Sequence, residues 1–312
     1  MRERSGYPDS NRDADNYLQN AKPQIIFKHM KAIVDSGSTK ADWALITDTS
    51  EKVMQTMGFN PNFHSSETIV SEINSELKEK IDFDRVSEIY FYGSGCWDQK
   101  RKDIISTGLG RVFAHASIEV HHDLLGAARA TCGRNPGISC IIGTGSNTCL
   151  YDGEDVVDNV TNLGYLCGDE GSGTHLGKKL IRHYFYRELP EQLEKGLEEF
   201  IGGGKQVVLD TVYSGDPPNV YLASFTRFMS EHIDHPFIQR ILYRSFAEFI
   251  DRHVRKYPGH LRLPVHFIGS IAYVFQDMLD IVLTERAMTT GVFIKQPIDN
   301  LINYHREFIG QN

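Results

Sequence analysis

The sequence predicts an α/β protein made of two halves with a cleft between them. Strand-like and helix-like segments alternate over the first half of the chain, which is typical of α/β domains. An apolar strand, a Gly/Ser/Thr turn and a second apolar strand occur at 31–47, and the same pattern recurs at 138–153. Helical segments with one apolar face follow both occurrences. The recurrence indicates two structural units of similar design.

Four strands and one helix are predicted in the first half. The strands are the runs 32-AIVD-35, 43-WALIT-47, 88-EIYFYG-93 and 117-SIEV-120. Between the second and third strands, segment 66–80 carries Ile69, Ile73 and Leu77 at helical spacing. Because a tight turn joins the first two strands and a helix leads to the next, we expect a mixed rather than a purely parallel sheet.

The second half is predicted to open with the strand, turn and strand of 138-ISCIIGTGSNTCLYDG-153 and to continue with helices. The clearest helix is 236–257, where apolar residues recur at helical spacing. The run 265-VHFIGS-270 is typical of a strand that opens into a helix. The closing segment 297-PIDNLINYHREF-308 predicts a short amphipathic helix with proline at its start.

Composition narrows the class of protein. The chain has 312 residues and a formal net charge of −8, which argues against a sequence-independent nucleic-acid binder. No apolar run reaches the roughly 18 residues of a membrane helix. The five cysteines are odd in number and lack metal-type pairing, which favours a reduced, cytoplasmic protein. The polar residues 1–30 are expected to be a flexible extension, or a leader before a start at Met30.

Two turns, 35-DSGSTK-40 and 143-GTGSNT-148, predict an anion site. Glycine lets the backbone reverse sharply, and successive exposed N–H groups in such turns form a concavity suited to phosphate. The carboxylate of Asp35 would repel phosphate unless a cation lay between them, and Mg²⁺ is a hard ion that bridges these groups. The alternative is an ordinary hairpin turn capped by the Asp35 side chain. Neither turn matches a Walker A loop or a dinucleotide fingerprint.

Three further segments carry candidate site residues. Asp169 and Glu170 lie in a glycine cluster before a predicted helix, where they either stabilise the helix dipole or accept hydrogen bonds from substrate hydroxyls. Asp123 follows a strand and precedes a helix of small residues, so it is a helix N-cap, a general base aimed into the cleft, or both. Gly269 and Ser270, at a strand-to-helix junction, either permit close packing or let a flat base lie against the backbone.

Taken in order, these segments resemble the sugar kinase/Hsp70/actin superfamily over residues 31–308. Within it, the chain resembles the BadF/BadG/BcrA/BcrD ATPase family, which contains N-acetylglucosamine kinases and ATPase subunits that activate reductases and dehydratases. The most specific elements are 143-GTGSN-147 and 168-GDEGSG-173, in register after 35-DSGSTK-40.

The resemblance implies an actin-like ATPase fold with two ribonuclease H-like domains and a cleft between them. The N-terminal domain would comprise residues 31–122 and the C-terminal domain residues 123–296. The closing helix, within 297–312, is expected to pack back on the N-terminal domain.

The resemblance also implies a role for each candidate residue. Asp123 matches the catalytic aspartate of the acetylglucosamine kinases, and Asp35 matches the residue directed toward magnesium. Asn62, in 58-GFNPN-62, matches a sugar motif of those kinases, and Asn147 and Asp169 match further sugar contacts. The nucleotide motifs match Gly37, Ser38, Thr39 and Lys40 in the first turn, Gly143, Thr144, Gly145 and Ser146 in the second turn, and Gly269 and Ser270 for adenosine.

The function so implied is ATP- and Mg²⁺-dependent phosphorylation of a hydroxyl of an amino sugar, with N-acetylglucosamine or a related N-acetylhexosamine or muramic acid first. Ser36, Ser38 and Phe63 depart from the residues common in the relatives, which leaves the identity of the sugar open. Homodimers are common among similar proteins.

Two other classes remain open at this point. The first is an ATPase that couples hydrolysis to a partner protein through an iron–sulfur cluster, for which Cys132 and Cys167 flank the second turn. The second is a non-catalytic sugar sensor on the same fold.

Overall fold

Two five-stranded mixed sheets form the framework of the protein, which a computed structural model describes over residues 30–37, 39–214 and 217–306. The first sheet contains β1 (Met30–Ser36), β2 (Lys40–Ile46), β3 (Glu51–Met57), β4 (Val86–Gly93) and β5 (Ser117–His122). The second contains β6 (Gly137–Ile142), β7 (Ser146–Tyr151), β8 (Val156–Asp158), β9 (Pro264–Ile268) and β10 (Thr289–Ile294).

Both sheets have the same topology. The strand order is β3-β2-β1-β4-β5 in the first sheet and β8-β7-β6-β9-β10 in the second. In each order, neighbouring strands among the first three pair antiparallel. The last two strands run parallel to the central strand, which is β1 in the first sheet and β6 in the second. The predicted α/β class, the mixed sheet and the repeated unit are therefore confirmed.

Helices cover the sheets. They are α1 (Ser66–Leu77), α2 (Gln99–Val112), α3 (Asp123–Cys132), α4 (Gly164–Cys167), α5 (Gly173–Phe185), α6 (Glu191–Ile201), α7 (Lys205–Ser214), α8 (Pro218–Glu231), α9 (Pro236–Arg252), α10 (Ser270–Val274), α11 (Gln276–Thr284) and α12 (Ile298–Arg306). Single 3₁₀ turns occur at Phe83–Arg85 and Val254–Lys256. Within the described part of the chain, no helix combines the length and apolar character needed to cross a membrane.

Three apolar cores hold these layers together. One lies between the first sheet and helices α1 and α2, around the fully buried Trp43 and Phe91. A second lies between the second sheet and the helices from α5 to α11. The third includes residues of α3, α12 and both sheets, so it joins the two halves of the molecule. Each large apolar side chain buried in this way contributes roughly 1.5–3 kcal/mol to folding.

The helices α3 and α12 link the two sheets. Arg129 of α3 donates a hydrogen bond to the Tyr92 hydroxyl of β4 (2.8 Å), which lies 2.9 Å from Nε2 of His305 in α12. Burial, with help from the Arg129 charge, lowers the pKa of His305 to about 3. The imidazole is therefore neutral and can accept a hydrogen bond from the Tyr92 hydroxyl. Helix α12 also lies against β1 and β2. The division into two domains between residues 122 and 123 stays a prediction.

The sequence located the central strands but not three edge strands, β3, β8 and β10. In β3 only Thr56 is buried, so both faces are largely solvated and no apolar alternation marks the strand. Strand β10 carries two threonines and a glycine. The helix predicted after residue 270 is interrupted at Phe275, which divides it into α10 and α11. Of the predicted extension 1–30, Met30 is the first residue of β1, and residues 1–29 lie outside the described residues, as do residues 307–312 at the end of the closing helix.

Helices α5 and α8 approach each other closely at Gly177, where an added Cβ would lie 1.9 Å from the Leu222 carbonyl oxygen. We expect Gly177→Ala to destabilise the protein by roughly 1–3 kcal/mol, because the helices must move apart. The higher helix propensity of alanine offsets only about 1 kcal/mol of this. Denaturant titration measures the change. Gly204→Ala is the control, because no atom lies within 4 Å of its added Cβ, and equal midpoints for both variants would contradict the packing argument.

Candidate active site

A cleft lined by both halves of the molecule contains most of the predicted site residues. It consists of two adjoining spaces of about 380 Å³ and 390 Å³. Both spaces are lined by Gly37, Asp123, Ile141 and Gly143, so they form one continuous crevice. Segments 35–40 and 143–146, which lie far apart in sequence, therefore meet at the same place.

The first turn joins β1 to β2. The Gly37 N–H donates to the Lys40 carbonyl (3.0 Å), which closes the reversal. Ser36 anchors the turn, since its hydroxyl accepts from the Phe59 N–H (2.8 Å) and its carbonyl accepts from the Ser94 N–H (3.0 Å). The cleft is lined by Asp35, Gly37, Thr39 and Lys40. Ser38 lies outside the described residues.

The second turn joins β6 to β7 and is fixed to the start of α5. The Gly143 carbonyl accepts from the Gly173 N–H (2.9 Å), and the Thr144 carbonyl accepts from the Thr174 N–H (3.1 Å). Because these carbonyls are held by the helix, the turn is rigid. The predicted residues that line the cleft here are Gly143, Thr144, Gly145 and Ser146.

Three carboxylates share the cleft. Asp35 of β1 is directly opposite Asp42 of β2 in the antiparallel ladder, a pairing of like charges that is unfavourable. Asp42 is stabilised by the Gln55 amide (2.6 Å) and the Lys40 ammonium (3.1 Å). Burial, followed by the charges of Asp123 and Asp42, raises the pKa of Asp35 to about 7. The site thus carries more negative charge than its own cations compensate.

Asp123 lies at the junction of β5 and α3. The N-cap of α3 is His122, whose Nδ1 accepts the Leu124 N–H (3.2 Å), so the prediction that Asp123 is the N-cap is wrong. This nitrogen is also 2.9 Å from Asp123 Oδ1, but it is already an acceptor. Asp123 Oδ1 is therefore buried without a hydrogen-bond donor among the described residues. The Asp123 side chain is nevertheless 29% exposed and lines the cleft, so a substrate O–H could reach the rest of the carboxylate there.

An exposed tryptophan packs on His122, the residue before Asp123. The ring of Trp97 packs over His122 with centroids 4.0 Å apart, and 59% of the residue is exposed. The other tryptophan, Trp43, is fully buried and donates its indole N–H to Thr56 (3.0 Å).

Of the three residues predicted to contact the sugar, two line the cleft and one does not. Asn147 and Asp169 line the cleft. The backbone of Asp169 is left-handed, with φ of 56°, which is uncommon outside glycine and often marks a functional position. Asn62 is absent from the lining; it is exposed, its amide oxygen accepts from Arg101 Nε (2.8 Å), and its amide nitrogen lies next to Gly95. Its role in sugar binding stays a prediction.

The predicted adenosine residues lie at the end of β9. Gly269 has φ of 120°, and an added Cβ would lie 2.4 Å from the Ile142 carbonyl oxygen. Glycine is therefore required both for the backbone conformation and for the close approach of β6. Gly269 and Ser270 line the cleft together with Lys295 and Gln296, which follow β10.

Sequence reasoning missed several lining residues: Asp42, Ser94, Asn219, Lys295 and Gln296. Lys295 and Gln296 follow the unrecognised β10, which runs parallel to β9. Ligands of open α/β sheets bind beyond the carboxyl ends of parallel strands, so recognition of β10 would have pointed to them. Asp42 had a weaker signal, an acid within an apolar strand.

The two cysteines considered for a cluster do not converge. Cys132 lies at the start of β6, because its sulfur is 2.9 Å from an added Cβ at Gly137. Cys167 is exposed and lies two residues before Asp169, whose carboxylate reaches Ser146 beyond the far end of β6. At about 3.3 Å per residue, the six-residue strand places these positions roughly 16 Å apart.

The carboxylates of the cleft suit a divalent cation that is bound together with phosphate. Within the described residues, no group of three His, Cys, Asp or Glu side chains could hold a metal ion by itself. Mg²⁺ usually keeps several waters and uses one or two carboxylates with substrate phosphates. Burial first, and then the charges of Asp123 and Asp42, raise the pKa of Asp35, and a cation bound at this carboxylate would favour its charged form. The residues present therefore fit Mg²⁺ bound together with a phosphate ligand.

Comparison with solved structures places the chain among known folds. It matches the putative N-acetylglucosamine kinase from Porphyromonas gingivalis with a TM-score of 0.84 and 36% identity, over 90% of this chain and 100% of that one. It matches the putative N-acetylglucosamine kinase from Chromobacterium violaceum with a TM-score of 0.67 and 16% identity, over 89% and 99%. It matches a putative sugar kinase from Cytophaga hutchinsonii with a TM-score of 0.50 and 15% identity, over 90% and 99%.

The last two similarities concern the fold alone. No protein-family model matches the chain, and neither does any curated protein. The repeated sheets and the neighbours together define an actin-like fold of the sugar kinase superfamily, as predicted. At 36% identity over the whole of its relative, the chain belongs to the same family as the Porphyromonas gingivalis protein.

Proposed function

We propose that the protein is an ATP-dependent kinase that transfers a phosphoryl group to a hydroxyl of an amino sugar. The observation that supports this most strongly is the meeting of both turns and Asp123 in one cleft. Turns of this kind bind phosphate through backbone N–H groups, and a carboxylate beside them can accept a proton from an attacking hydroxyl. The name of the Porphyromonas gingivalis relative supports the same activity.

The cleft offers a place for each part of the nucleotide. The phosphates would lie between the turns at Gly37 and Gly143, and the adenosine would lie against Gly269 and Ser270. Asp35 would hold Mg²⁺, which when bound neutralises phosphate charge. Phosphoryl transfer depends mainly on positioning and on charge stabilisation, and these are what the two turns provide.

Asp123 is the proposed general base. The sugar hydroxyl donates its proton to the Asp123 carboxylate, which lines the cleft, as its oxygen forms a bond to the γ-phosphorus. The bond between the γ-phosphorus and the β–γ bridging oxygen breaks, and ADP leaves with that oxygen. The products are a sugar phosphate and ADP, and the proton remains on the carboxylate until it passes to solvent.

The proposed acceptor is N-acetylglucosamine or a related N-acetylhexosamine or muramic acid. Asp169 and Asn147 line the cleft near Asp123 and can exchange hydrogen bonds with sugar hydroxyls. A site that bonds hydroxyls in this way rejects analogues that lack them. The motif resemblance supports placing the chain with the kinases of the BadF/BadG/BcrA/BcrD family.

The alternative of an ATPase that activates a partner through a cluster has less support. Cys132 lies near the start of β6, whereas Cys167 is close in sequence to Asp169, which bonds Ser146 just after the end of that strand. A sugar sensor would need no general base, whereas the Asp123 carboxylate lines the cleft beside both turns.

ADP release, measured with N-acetylglucosamine, N-acetylmannosamine, N-acetylmuramic acid, glucosamine and glucose, tests the proposal. We expect turnover that depends on sugar and is greatest with one N-acetylated sugar, with formation of a sugar phosphate seen by phosphorus NMR. ATP turnover that no sugar changes would contradict the kinase function. Iron in anaerobically purified protein would favour the activator, and sugar binding without turnover would favour the sensor.

A further inference from the structure

Asn162, in the segment between β8 and α4, has contacts that the proposed mechanism does not yet use. Its amide nitrogen donates to Asp169 Oδ1 (2.6 Å) and to the Ser146 carbonyl. Its amide oxygen accepts from the Gly164 N–H (2.7 Å) and from the Asp169 N–H (3.3 Å). One side chain thus joins the second turn, the Asp169 backbone and the Asp169 carboxylate.

These contacts hold Asp169 in a costly conformation. A non-glycine residue in the left-handed region persists only where its surroundings enforce it. Asn162 bonds both the backbone N–H and the carboxylate of Asp169, which is only 7% exposed. Gly168 leaves room for this arrangement, since an added Cβ would lie 3.0 Å from the Asn162 amide oxygen.

The two carboxylate oxygens of Asp169 have different surroundings. Oδ1 accepts from the Ser146 N–H (3.1 Å) as well as from Asn162, so it is committed to the protein. Oδ2 borders Gly145, where an added Cβ would lie 3.0 Å away, and no hydrogen bond from the described residues reaches it. Oδ2 is therefore the oxygen that remains for a ligand in the cleft.

We propose that Asn162 is a positioning residue that fixes Asp169 for sugar binding and links the sugar site to the second phosphate turn. The inference rests on the proposed kinase function. Because Ser146 and Asn162 share Asp169 Oδ1, a sugar bound at Oδ2 also restrains the backbone of the turn at Ser146. Sugar and nucleotide should consequently bind with positive cooperativity, since each ligand orders groups that the other needs.

Asn162→Ala tests this link. We expect the Michaelis constant for the sugar to rise roughly 10- to 100-fold, because a partly buried carboxylate loses a donor. Nucleotide affinity without sugar should fall much less, because the second turn keeps the bonds that its Gly143 and Thr144 carbonyls accept from α5. In the wild-type protein, a non-hydrolysable ATP analogue should tighten sugar binding in calorimetry, and this enhancement should be lost in the variant.

Asn162→Asp distinguishes the loss of the hydrogen-bond donor from the loss of side-chain volume. It keeps the size of Asn162 but places a second carboxylate beside Asp169, so it should weaken sugar binding at least as much as alanine. Asp152→Ala is the matched control. Asp152 also bonds two loop N–H groups, those of Glu154 and Asp155 (2.8 Å each), but it does not line the cleft.

The outcomes separate this inference from the function on which it rests. A wild-type protein without sugar-dependent turnover removes the kinase proposal itself. An active wild type with unchanged sugar affinity and cooperativity in Asn162→Ala overturns only the role of Asn162. Equal losses of sugar affinity and of sugar-free nucleotide affinity in both Asn162 variants also overturn it, because they would show general damage to the fold.

Discussion

Replacement of Asp123 by asparagine is expected to lower kcat by roughly 10²- to 10⁴-fold, the usual contribution of a general base. Asparagine keeps the shape of the side chain but cannot accept the hydroxyl proton. Neither turn is altered by this change, so nucleotide binding should remain. ADP release gives the turnover, and calorimetry with a non-hydrolysable ATP analogue gives the nucleotide affinity.

A matched variant controls for helix electrostatics. Asp299 lies in the first turn of α12, as Asp123 lies in the first turn of α3, but it is exposed and does not line the cleft. Asp299→Asn should leave turnover unchanged. Full activity of Asp123→Asn would show that this carboxylate is not the general base, and the proposed mechanism would then lack one.

Replacement of Asp35 by asparagine is expected to lower turnover by roughly 10²- to 10³-fold, the usual effect of removing one electrostatic contact in a transition state. The same change should stabilise the ligand-free protein at neutral and higher pH, because the buried charge and its repulsion with Asp42 and Asp123 are lost. A variant that is more stable but inactive would identify Asp35 as a residue kept for function.

The sign of the pH dependence follows from the raised pKa of Asp35. Folding raises this pKa from 3.8 to about 7, so between these values the folded protein binds more protons than the unfolded chain. The contribution of Asp35 to stability therefore falls as pH rises through this window and is constant above it. Denaturant titrations across the window should show this slope in the ligand-free wild type but not in Asp35→Asn. An identical pH profile for the two proteins would refute the assignment.

The parts of the fold visible in the sequence were those with a strong local pattern. Strands β1, β4 and β6 lie inside the sheets and read as apolar runs, and α1 showed its buried Ile69 and Ile73 at helical spacing. Strand β3 lies at a sheet edge with mostly exposed residues, so tertiary pairing rather than composition defines it.

The site was predictable where one segment carried its own chemistry. Both turns and Asp123 were found because glycine, hydroxyl and carboxylate residues follow strands at short range. Asp42 could not be recognised until the register placed it opposite Asp35. The contact of Asn62 with Arg101 joins residues far apart in sequence, and Asn162 lies in an irregular segment without periodicity. Such contacts depend on the packing of separate elements.

The helices α3 and α12 have a mechanical consequence for the proposed reaction. They connect the two sheets through the same apolar core, and the two turns that are proposed to bind phosphate belong to different sheets. A triphosphate bound to both turns would add contacts between the two halves. Transfer of the γ-phosphate would remove some of these contacts, so the reaction itself would weaken the association of the halves around the products and favour product release.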